Sequence, residues 1–437
     1  MRTPGADPSL WRDRRFVLLF SARTVSVLGN AFARVALAFA VLALPGAGPG
    51  RLSLVLACQA LPQLVFILVG GVIADRVSRS RLMVVSDLLG AAAYAGLAAM
   101  VLTGHAPLTA MCLLAVLAGT ATALFAPAMT GVVPLIVPAP RLQQANGVLQ
   151  MGTNTSMLLG LALSGVTVAF AGAGWALALN AASFALSALL IRGLRVTARP
   201  RKASSGWADL RDGWREFASR QWLWAVVVQY AFVVAALNAN VGVLGPLVAE
   251  EHFGGARAWS LIVAAQALGT IAGAGLAARV RVSRPVLVAV LATFPAAAPI
   301  ALLALHAPVW SVALAMFCAG VSSDVFSVLW TTTLHREIPD QIISRVSSYE
   351  WLGSLAFAPL GLLAAGPLAS AVGTGVALAG CSAMVVGATG LALLSPQVRS
   401  LRVREGHGGT GAPASAELTP AGRRPGRPGG RRTRWWA

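Results

Sequence analysis

Long apolar segments, separated by short polar ones, constrain this chain more than any other feature of its sequence. A membrane-spanning helix needs about 20 predominantly apolar residues, and twelve segments meet that requirement. Their approximate bounds are 16–43, 52–74, 82–103, 109–136, 144–170, 174–191, 222–248, 259–278, 285–305, 309–333, 344–370 and 375–394. Only 11% of the residues are charged, against about 25% in a typical soluble domain. The sequence therefore predicts an all-α membrane protein with twelve transmembrane helices, and it excludes an ordinary soluble enzyme.

Basic residues predict how these helices are oriented. Lys and Arg total 34 against 15 Asp and Glu, a formal net charge of +19. They cluster in alternate loops such as 76–81 and 192–220, whereas the intervening loops keep only Arg51 and Arg257. Because cytoplasmic loops carry the excess of Lys and Arg, we expect a multi-pass protein of the plasma (cytoplasmic) membrane with both termini in the cytoplasm. This placement also argues against nucleic-acid binding.

The longest polar stretch divides the helices six and six. Residues 1–193 and 221–395 are predicted as the two six-helix bundles, and 194–220 as a cytoplasmic linker. Within the linker, four apolar residues stand near helical spacing: Trp207, Leu210, Trp214 and Phe217. The spacing predicts an amphipathic helix on the membrane surface; a solvated linker is the alternative.

The C-terminal segment 396–437 is rich in Gly, Pro and Arg. Such a composition cannot bury enough apolar surface to fold, so we expect a disordered cytoplasmic tail. Its nine arginines either contact anionic lipid or are simply solvated.

The two halves share a register of Gly and Pro residues at an offset of 201 positions. The matched pairs are Pro138 and Pro339, Gly160 and Gly361, Gly165 and Gly366, Gly172 and Gly373, and Gly174 and Gly375. A parallel repeat of two six-helix halves is typical of one large class of secondary transporters. The repeat predicts two pseudo-symmetric bundles around a central cavity.

Polar residues within the apolar segments indicate where such a cavity lies, because they are costly in a bilayer unless they face a cavity or the bundle interior. Helices 1, 4, 7 and 10 each carry a polar or broken face, at corresponding positions of the repeat. The predicted substrate-cavity residues are Arg23, Asn30, Arg34, Thr120, Gln229, Asn240, Ser327 and Thr331. One interpretation of the two arginines is that they hold an anionic or zwitterionic substrate.

Asp324 is the acid that lies deepest in the predicted bilayer, near the middle of helix 10. Burial disfavours the charged form of a carboxyl, so this residue is the candidate for proton coupling. Two alternatives stay open, namely a fixed pair with Arg34 and a direct contact with substrate. Nearer the cytoplasmic ends, Asp87 is expected to anchor helix 3 close to its loop, and Glu350 is a candidate for a cytoplasmic gate.

Enzymatic signatures are absent from the sequence. The single lysine, Lys202, lies outside any Walker A pattern, and the five histidines form no HExxH pair. The four cysteines stand apart from one another, which disfavours a zinc site. We therefore predict no enzyme, no metal and no cofactor, and instead transport driven by an ion gradient or, as an alternative, a membrane scaffold or sensor that transports nothing.

The loop after helix 2 resembles the signature between helices 2 and 3 of the major facilitator superfamily. Four residues match it: Gly71, Asp75, Arg76 and Arg79. Ser78 and Ser80 depart from the pattern. The resemblance implies the twelve-helix major facilitator fold. It also implies that Asp75, with the basic residues up to Arg81, forms a cytoplasmic charge network that locks one state of the transport cycle.

Further stretches resemble the drug-efflux branch of that superfamily, which includes macrolide and enterobactin exporters. They are 23–30, 125–128, 144–147, 338–340 and 345–348. The resemblance implies proton-coupled export of a small amphipathic molecule such as a drug, an antibiotic or a siderophore, by a protein expected to be monomeric. An importer of the same fold is the alternative.

The branch's antiporter signature is partly present in helix 5. Its glycine spacing is traceable through Gly147, Gly160 and Gly165. Two of its glycines and its proline are replaced, by Ser156, Leu161 and Ser164. These glycines either serve a specific antiport role or only allow close helix packing.

Overall fold

The chain folds into long α-helices in a computed structural model, which describes residues 10–46, 48–76, 78–138, 141–194, 214–215, 217–277, 279, 282–338, 346, 349–350, 352–354 and 356–401. Side chains at 63, 64, 66–76, 126, 127, 130, 131, 134 and 143 lie outside this description. The described residues contain no β-strand. The all-α prediction is confirmed.

Six long helices form each half. The first half comprises α1 (Arg14–Leu42), α2 (Pro49–Arg76), α3 (Arg79–Thr103), α4 (Leu108–Ile136), α5 (Leu142–Ala171) and α6 (Ala173–Arg192). The second comprises α7 (Gln221–His252), α8 (Ala256–Ala277), α9 (Pro285–Ala304), α10 (Val309–Glu337), α11 (Phe357–Val372) and α12 (Thr374–Leu394), followed by the short α13 (Pro396–Ser400). Within the described residues, eleven of these helices are long and apolar enough to cross a membrane. The remaining long helix, α2, has 28 residues.

Two of the second-half helices are irregular within their length. A π-helical turn, Asn240–Leu244, interrupts α7, and a 3-10 turn, Phe294–Ala296, interrupts α9. A π-helical turn inside an α-helix is rare and is often found at a functional site. The one in α7 lies beside the cavity described below.

Helix pairing follows the same scheme in both halves. In the first half α1 packs against α5 and α6, α2 against α4, and α3 against α4 and α6. In the second half α7 packs against α11 and α12, α8 against α10, and α9 against α10 and α12. The main contacts between the halves are α5 with α8 and α2 with α11. These two contacts are related by the same symmetry, because α11 corresponds to α5 and α8 to α2. The predicted pair of pseudo-symmetric six-helix bundles is confirmed.

Glycines at repeat-related positions let these helices approach closely. A Cβ on Gly160 would meet the Leu28 carbonyl of α1, and a Cβ on Gly361 would meet the Ala235 carbonyl of α7. Because any side chain here would displace backbone, both positions require glycine. The offset read from the sequence therefore corresponds to a structural repeat.

The other repeat-related glycines lie in turns or at the seams, by which we mean the contacts of α5 with α8 and of α2 with α11 between the halves. Gly165 packs against Ser260 of α8, and its counterpart Gly366 packs against Ser53 of α2. The turns into α6 and α12 are made by Gly172 and Gly373, at φ +89° and +87°, where a side chain would be strained. Gly147 differs, since it is exposed and an added Cβ would meet no atom within 4 Å. Close packing therefore does not depend on Gly147 in this structure.

The apolar core is divided unevenly between the two ends of the molecule. We call the end where α1 begins the terminal end and the opposite end the far end. At the far end, one buried cluster joins both halves, with members such as Phe39, Leu97, Leu247, Trp259 and Leu378. At the terminal end each half has its own separate cluster. Among the described side chains, a buried core thus joins the halves at the far end, whereas the buried cores at the terminal end each belong to one half.

The linker is described only where it enters the second half. Residues 214–215 and 217–219 are helical, and the rings of Trp214 and Phe217 both contact Tyr349. Arg220 donates a hydrogen bond to the Glu337 carbonyl at the end of α10, at 2.7 Å. The rest of the predicted amphipathic helix and the tail from 402 onward lie outside the described residues, so the predicted domain bounds stay predictions.

Candidate functional site

A cavity of about 220 Å³ lies between the halves, somewhat smaller than the roughly 300–1,000 Å³ of most small-molecule sites. The first half contributes α1 and α5 to its wall, and the second half contributes α7 and α8. Its lining residues are Arg34, Asn154, Met157, Leu161, Val241, Val263, Gln266, Ala267, Thr270 and Ile271. The cavity therefore lies at the interface of the two repeats, with residues of both halves in its wall.

The lining combines one cation with neutral polar groups on an aliphatic wall. Arg34 supplies a guanidinium, Asn154 and Gln266 supply amides, and Thr270 supplies a hydroxyl, while the other lining residues are apolar. Arg34 is exposed to the cavity and has no ion-pair partner among the described side chains. Beside it lies Tyr94 of α3, whose hydroxyl accepts a hydrogen bond from Gln59 Nε2 at 2.7 Å.

The structure distributes the predicted residues of α1 along the helix. Arg34 lines the cavity. Arg23 lies nearer the terminal end, where its Nε donates to Thr153 Oγ1 of α5 at 3.4 Å. Asn30 is half-buried between them and is not among the lining residues. Of the three predicted residues of α1, Arg34 is the one that lines this cavity.

Gln229 of α7 points away from the cavity. It is buried, and its Nε2 donates to Thr293 Oγ1 of α9 at 2.9 Å and to Thr389 Oγ1 of α12 at 3.3 Å. Asn240, in the π-helical turn, is also fully buried, and neither of its side-chain polar atoms has a hydrogen-bond partner. Its neighbour Val241 lines the cavity instead, because successive helical residues face different directions.

The predicted residues of α4 and α10 lie outside the cavity wall. Thr120 is half-buried, and its hydroxyl donates to the Val116 carbonyl of its own helix at 2.8 Å. Ser327 and Thr331 of α10 are exposed and are not lining residues. Of the four helices expected to form the site, α1 and α7 contribute to the wall.

Asp324 is in the contact between α10 and α8, one turn from the cavity wall. Its Cβ lies next to Gly273 of α8, three residues after the lining residue Thr270. Its Oδ2 is buried without a hydrogen-bond partner. Asp324 and Arg34 form no ion pair within the described part of the chain, so the fixed pair considered from sequence is not present in this structure.

The predicted gate residues are described only in part. The side chains of Gly71, Asp75 and Arg76 lie outside the described residues. Arg79 and Arg81 are in the first turn of α3, and Glu350 Oε1 accepts a hydrogen bond from Trp330 Nε1 of α10 at 3.1 Å. The gate therefore stays a prediction.

Sequence reasoning missed α5 and α8 as cavity helices. The available signal was weak: Asn154 stands alone in the middle of α5, and Gln266 and Thr270 share one face of α8. The small residues Gly269 and Gly273 of α8 face α10 rather than the cavity. Which face of α8 meets the cavity depends on how α8 packs against α10, and a single helix sequence does not give that rotation.

Asp87 also differs from its expected role as an anchor near a loop. It is fully buried between α3 and α6, and its Oδ2 accepts a hydrogen bond from Ser187 Oγ at 2.6 Å. In the second half, the corresponding helices α9 and α12 are joined by Thr293 and Thr389, whose hydroxyl oxygens lie 3.0 Å apart. The two halves thus use different buried polar pairs to join equivalent helices.

We expect Asp87→Ala to destabilise the protein by about 1–3 kcal/mol, because it leaves the buried Ser187 hydroxyl without its partner. Asp87→Asn keeps an acceptor for Ser187 and should retain most of the stability. Thermal unfolding of the purified protein in detergent measures both effects, with Ser187→Ala as the matched control. Wild-type stability in Asp87→Ala would show that the pair contributes nothing.

Comparison with known proteins identifies the family. The family model of the Major Facilitator Superfamily matches residues 19–350. The chain is 28% identical to the multidrug efflux pump Tap of Mycobacterium tuberculosis (strain ATCC 25618 / H37Rv) over 411 residues, covering 89% of this chain and 95% of that protein. It is 26% identical to the enterobactin exporter EntS of Salmonella typhimurium over 286 residues, covering 64% of this chain and 68% of EntS. A match to the MFS-type transporter YkuC of Bacillus subtilis covers 54% of this chain and 56% of YkuC at 26% identity.

Solved structures share the fold at low sequence identity. The nucleoside transporter NupG superposes with a TM-score of 0.69 at 13% identity, over 89% of this chain and 100% of NupG. A bacterial homologue of the iron transporter ferroportin, in an inward-facing state, gives 0.68 at 16% identity, over 89% and 99% of the two chains. These likenesses show the shared fold. Because the family model matches most of the sequence, the chain belongs to the Major Facilitator Superfamily, as a multi-pass membrane transporter of small molecules and not an enzyme.

Proposed function

We propose that this protein exports a small amphipathic molecule across the cytoplasmic membrane in exchange for protons, by alternating access. The observation that carries the proposal is the cavity between the halves, which has a shared buried core at the far end and, among the described side chains, a separate core of each half at the terminal end. Such a cavity at a repeat interface is where secondary transporters bind substrate. The named activities of Tap and EntS support the direction of transport.

Charge supports the orientation. The terminal end carries the basic loops, including Arg79, Arg81 and Arg192, whereas the far end carries few charges. Because cytoplasmic loops are the basic ones, the terminal end is proposed to be cytoplasmic. We propose that the shared core at the far end then represents the inward-open state, in which an exporter loads its substrate.

Rocking of the halves would open the far end and close the terminal end. Opening the far end requires α5 to separate from α8 and α2 from α11, at the seams around Gly165 and Gly366. Closing the terminal end brings the two separate clusters together. The loop containing Asp75 lies at that end, and we propose that it stabilises the closed cytoplasmic face.

Asp324 is proposed as the proton carrier. Its buried Oδ2 lacks a hydrogen-bond partner, and no side chain in the described part of the chain forms an ion pair with the carboxyl to hold it in one protonation state. Its contact with Gly273 places it against the helix that also carries Gln266 and Thr270 into the cavity. A change of charge at Asp324 would therefore act directly on a helix that forms the substrate site.

The proposal is tested with everted membrane vesicles whose lumen is acidified and monitored with a pH-sensitive dye. Drugs and siderophores are added one at a time, and a transported compound should release protons from the lumen. Vesicles without the protein are the control. In everted vesicles the cytoplasmic face meets the medium, so substrate movement only from the lumen to the medium would indicate an importer. If the protein is folded and inserted but no compound moves, a transporter of this substrate class would be contradicted.

A further inference from the structure

We infer that the substrate is an amphipathic organic acid whose anionic group binds Arg34. The inference rests on the proposed function and specifies its substrate class. It starts from the charge of the cavity wall: of the ten lining residues, Arg34 is the one that carries a charge.

Nothing in the described structure neutralises that charge. Arg34 makes no ion pair with Asp324, which contacts Gly273 on the α10 side of α8. The ionisable side chain near Arg34 is that of Tyr94, and a tyrosine is neutral at physiological pH. In the inward-open state water solvates the guanidinium. When the halves close around a substrate that water is excluded, and a buried charge without a partner is costly, so a substrate anion would supply the missing partner.

The rest of the wall lacks the groups that select cations. Cation sites use carboxylates or the faces of aromatic rings, and the ten lining residues include neither. The apolar surface is aliphatic, from side chains such as Met157, Leu161, Val263 and Ile271. Such a wall fits an apolar part of the substrate. The positive charge of Arg34 disfavours binding of a lipophilic cation.

Neutral polar groups on the wall indicate further substrate features. Asn154 and Gln266 face the cavity from opposite halves, and Thr270 lies one turn from Gln266. An amide both donates and accepts hydrogen bonds. The geometry therefore points to an acid that also carries carbonyl or hydroxyl groups, held by one residue from each half and by Arg34.

Three probes with one aromatic body and different charge test the inference: 2-naphthylacetate, 2-(2-naphthyl)ethanol and 2-(2-naphthyl)ethylammonium. Binding to the full-length protein in lipid nanodiscs is measured by titration calorimetry. A charge-assisted hydrogen bond favours the anion by about tenfold to a hundredfold over the neutral alcohol, and the cation should bind most weakly. Arg34→Gln should reduce the affinity for the acid to that for the alcohol and leave the affinity for the alcohol unchanged.

Two variants act as controls. Arg34→Lys keeps the charge but loses the planar fork, so it should still prefer the anion, with lower affinity. Arg192→Gln removes the same charge from an exposed position outside the cavity and should bind all three probes as the wild type does. Binding of the alcohol also reports that each variant is folded.

Three results would overturn the inference. In the first, the wild-type protein binds the acid no more tightly than the alcohol. In the second, it binds the cation as tightly as the acid. In the third, Arg34→Gln lowers the affinity for all three probes equally, which would make Arg34 a structural residue. The vesicle experiment separates this inference from the export proposal. Anion binding that depends on Arg34, without proton-coupled flux, would refute export alone, whereas export that is insensitive to Arg34→Gln would refute the anion site alone.

Discussion

Replacing Asp324 with asparagine is expected to abolish proton-driven accumulation of substrate while exchange of substrate across the membrane continues. Asparagine has nearly the shape of aspartate and fits the same place beside Gly273, but it cannot take up or release a proton. A gradient of one pH unit supplies about 1.4 kcal/mol per proton, which corresponds to about tenfold accumulation. In Asp324→Asn the accumulation ratio should fall to about one.

Proteoliposomes measure both quantities with the same protein. Accumulation is followed after a pH jump, and counterflow of labelled substrate is followed without a gradient. Counterflow within about threefold of wild type would show that Asp324→Asn still binds substrate and rocks. Glu251→Gln, which removes an exposed acid at the far end of α7, is the matched control and should keep full accumulation.

Undiminished accumulation in Asp324→Asn would exclude Asp324 from the coupling step. Two other acids of the described residues are shielded from solvent: Asp87, buried and bound to Ser187, and Glu350, half-buried and bound to Trp330. Both make fixed hydrogen bonds within one half of the molecule. Loss of accumulation and counterflow together would instead indicate a role for Asp324 in substrate binding, the second alternative left open by the sequence.

Gly165→Val is expected to shift the protein away from the state with a closed far end. A Cβ at Gly165 would overlap the Ser260 side chain and come within 2.7 Å of the Ala256 carbonyl of α8. Overpacking of this kind costs about 1–3 kcal/mol, and the cost applies only while α5 and α8 are in contact. The far-end-closed population should fall about 5- to 150-fold relative to the far-end-open one.

Distances between spin labels at the far end measure this shift. Labels are attached at His105→Cys and Leu305→Cys, exposed positions of the two halves, in a background without the four native cysteines. Gly165→Val should lengthen this distance and slow transport. Gly380→Val is the matched control, because Gly380 is exposed on α12 and a Cβ there meets no atom within 4 Å.

The symmetry of the fold provides a second test of the same seam. Gly366 meets Ser53 and the Pro49 carbonyl of α2 in the way that Gly165 meets Ser260 and the Ala256 carbonyl. Gly366→Val should therefore produce the same opening. An unchanged distance in both variants would show that these seams do not separate during transport.

The fold was accessible from the sequence because its determinants are local or repeated. A span is set by the length of an apolar run, so α1 to α12 could be located without knowing their neighbours. The pairs Gly160 and Gly361, and Gly165 and Gly366, marked the repeat because close helix contacts admit no side chain. The cavity wall was less accessible, since Gln229 and Asn154 look alike as single amides in apolar helices.

The sequence by itself determined the number of helices, their division into two halves and the family, since each follows from apolar length, glycine spacing or a short motif. The tertiary structure alone decided that α5 and α8 line the cavity and that Gln229 binds Thr293 and Thr389 instead. It also decided that Arg34 and Asp324 form no ion pair, although both lie within predicted membrane spans. The physical reason is helix rotation: packing against neighbouring helices fixes which face of each helix meets the cavity, and those neighbours are distant in the chain.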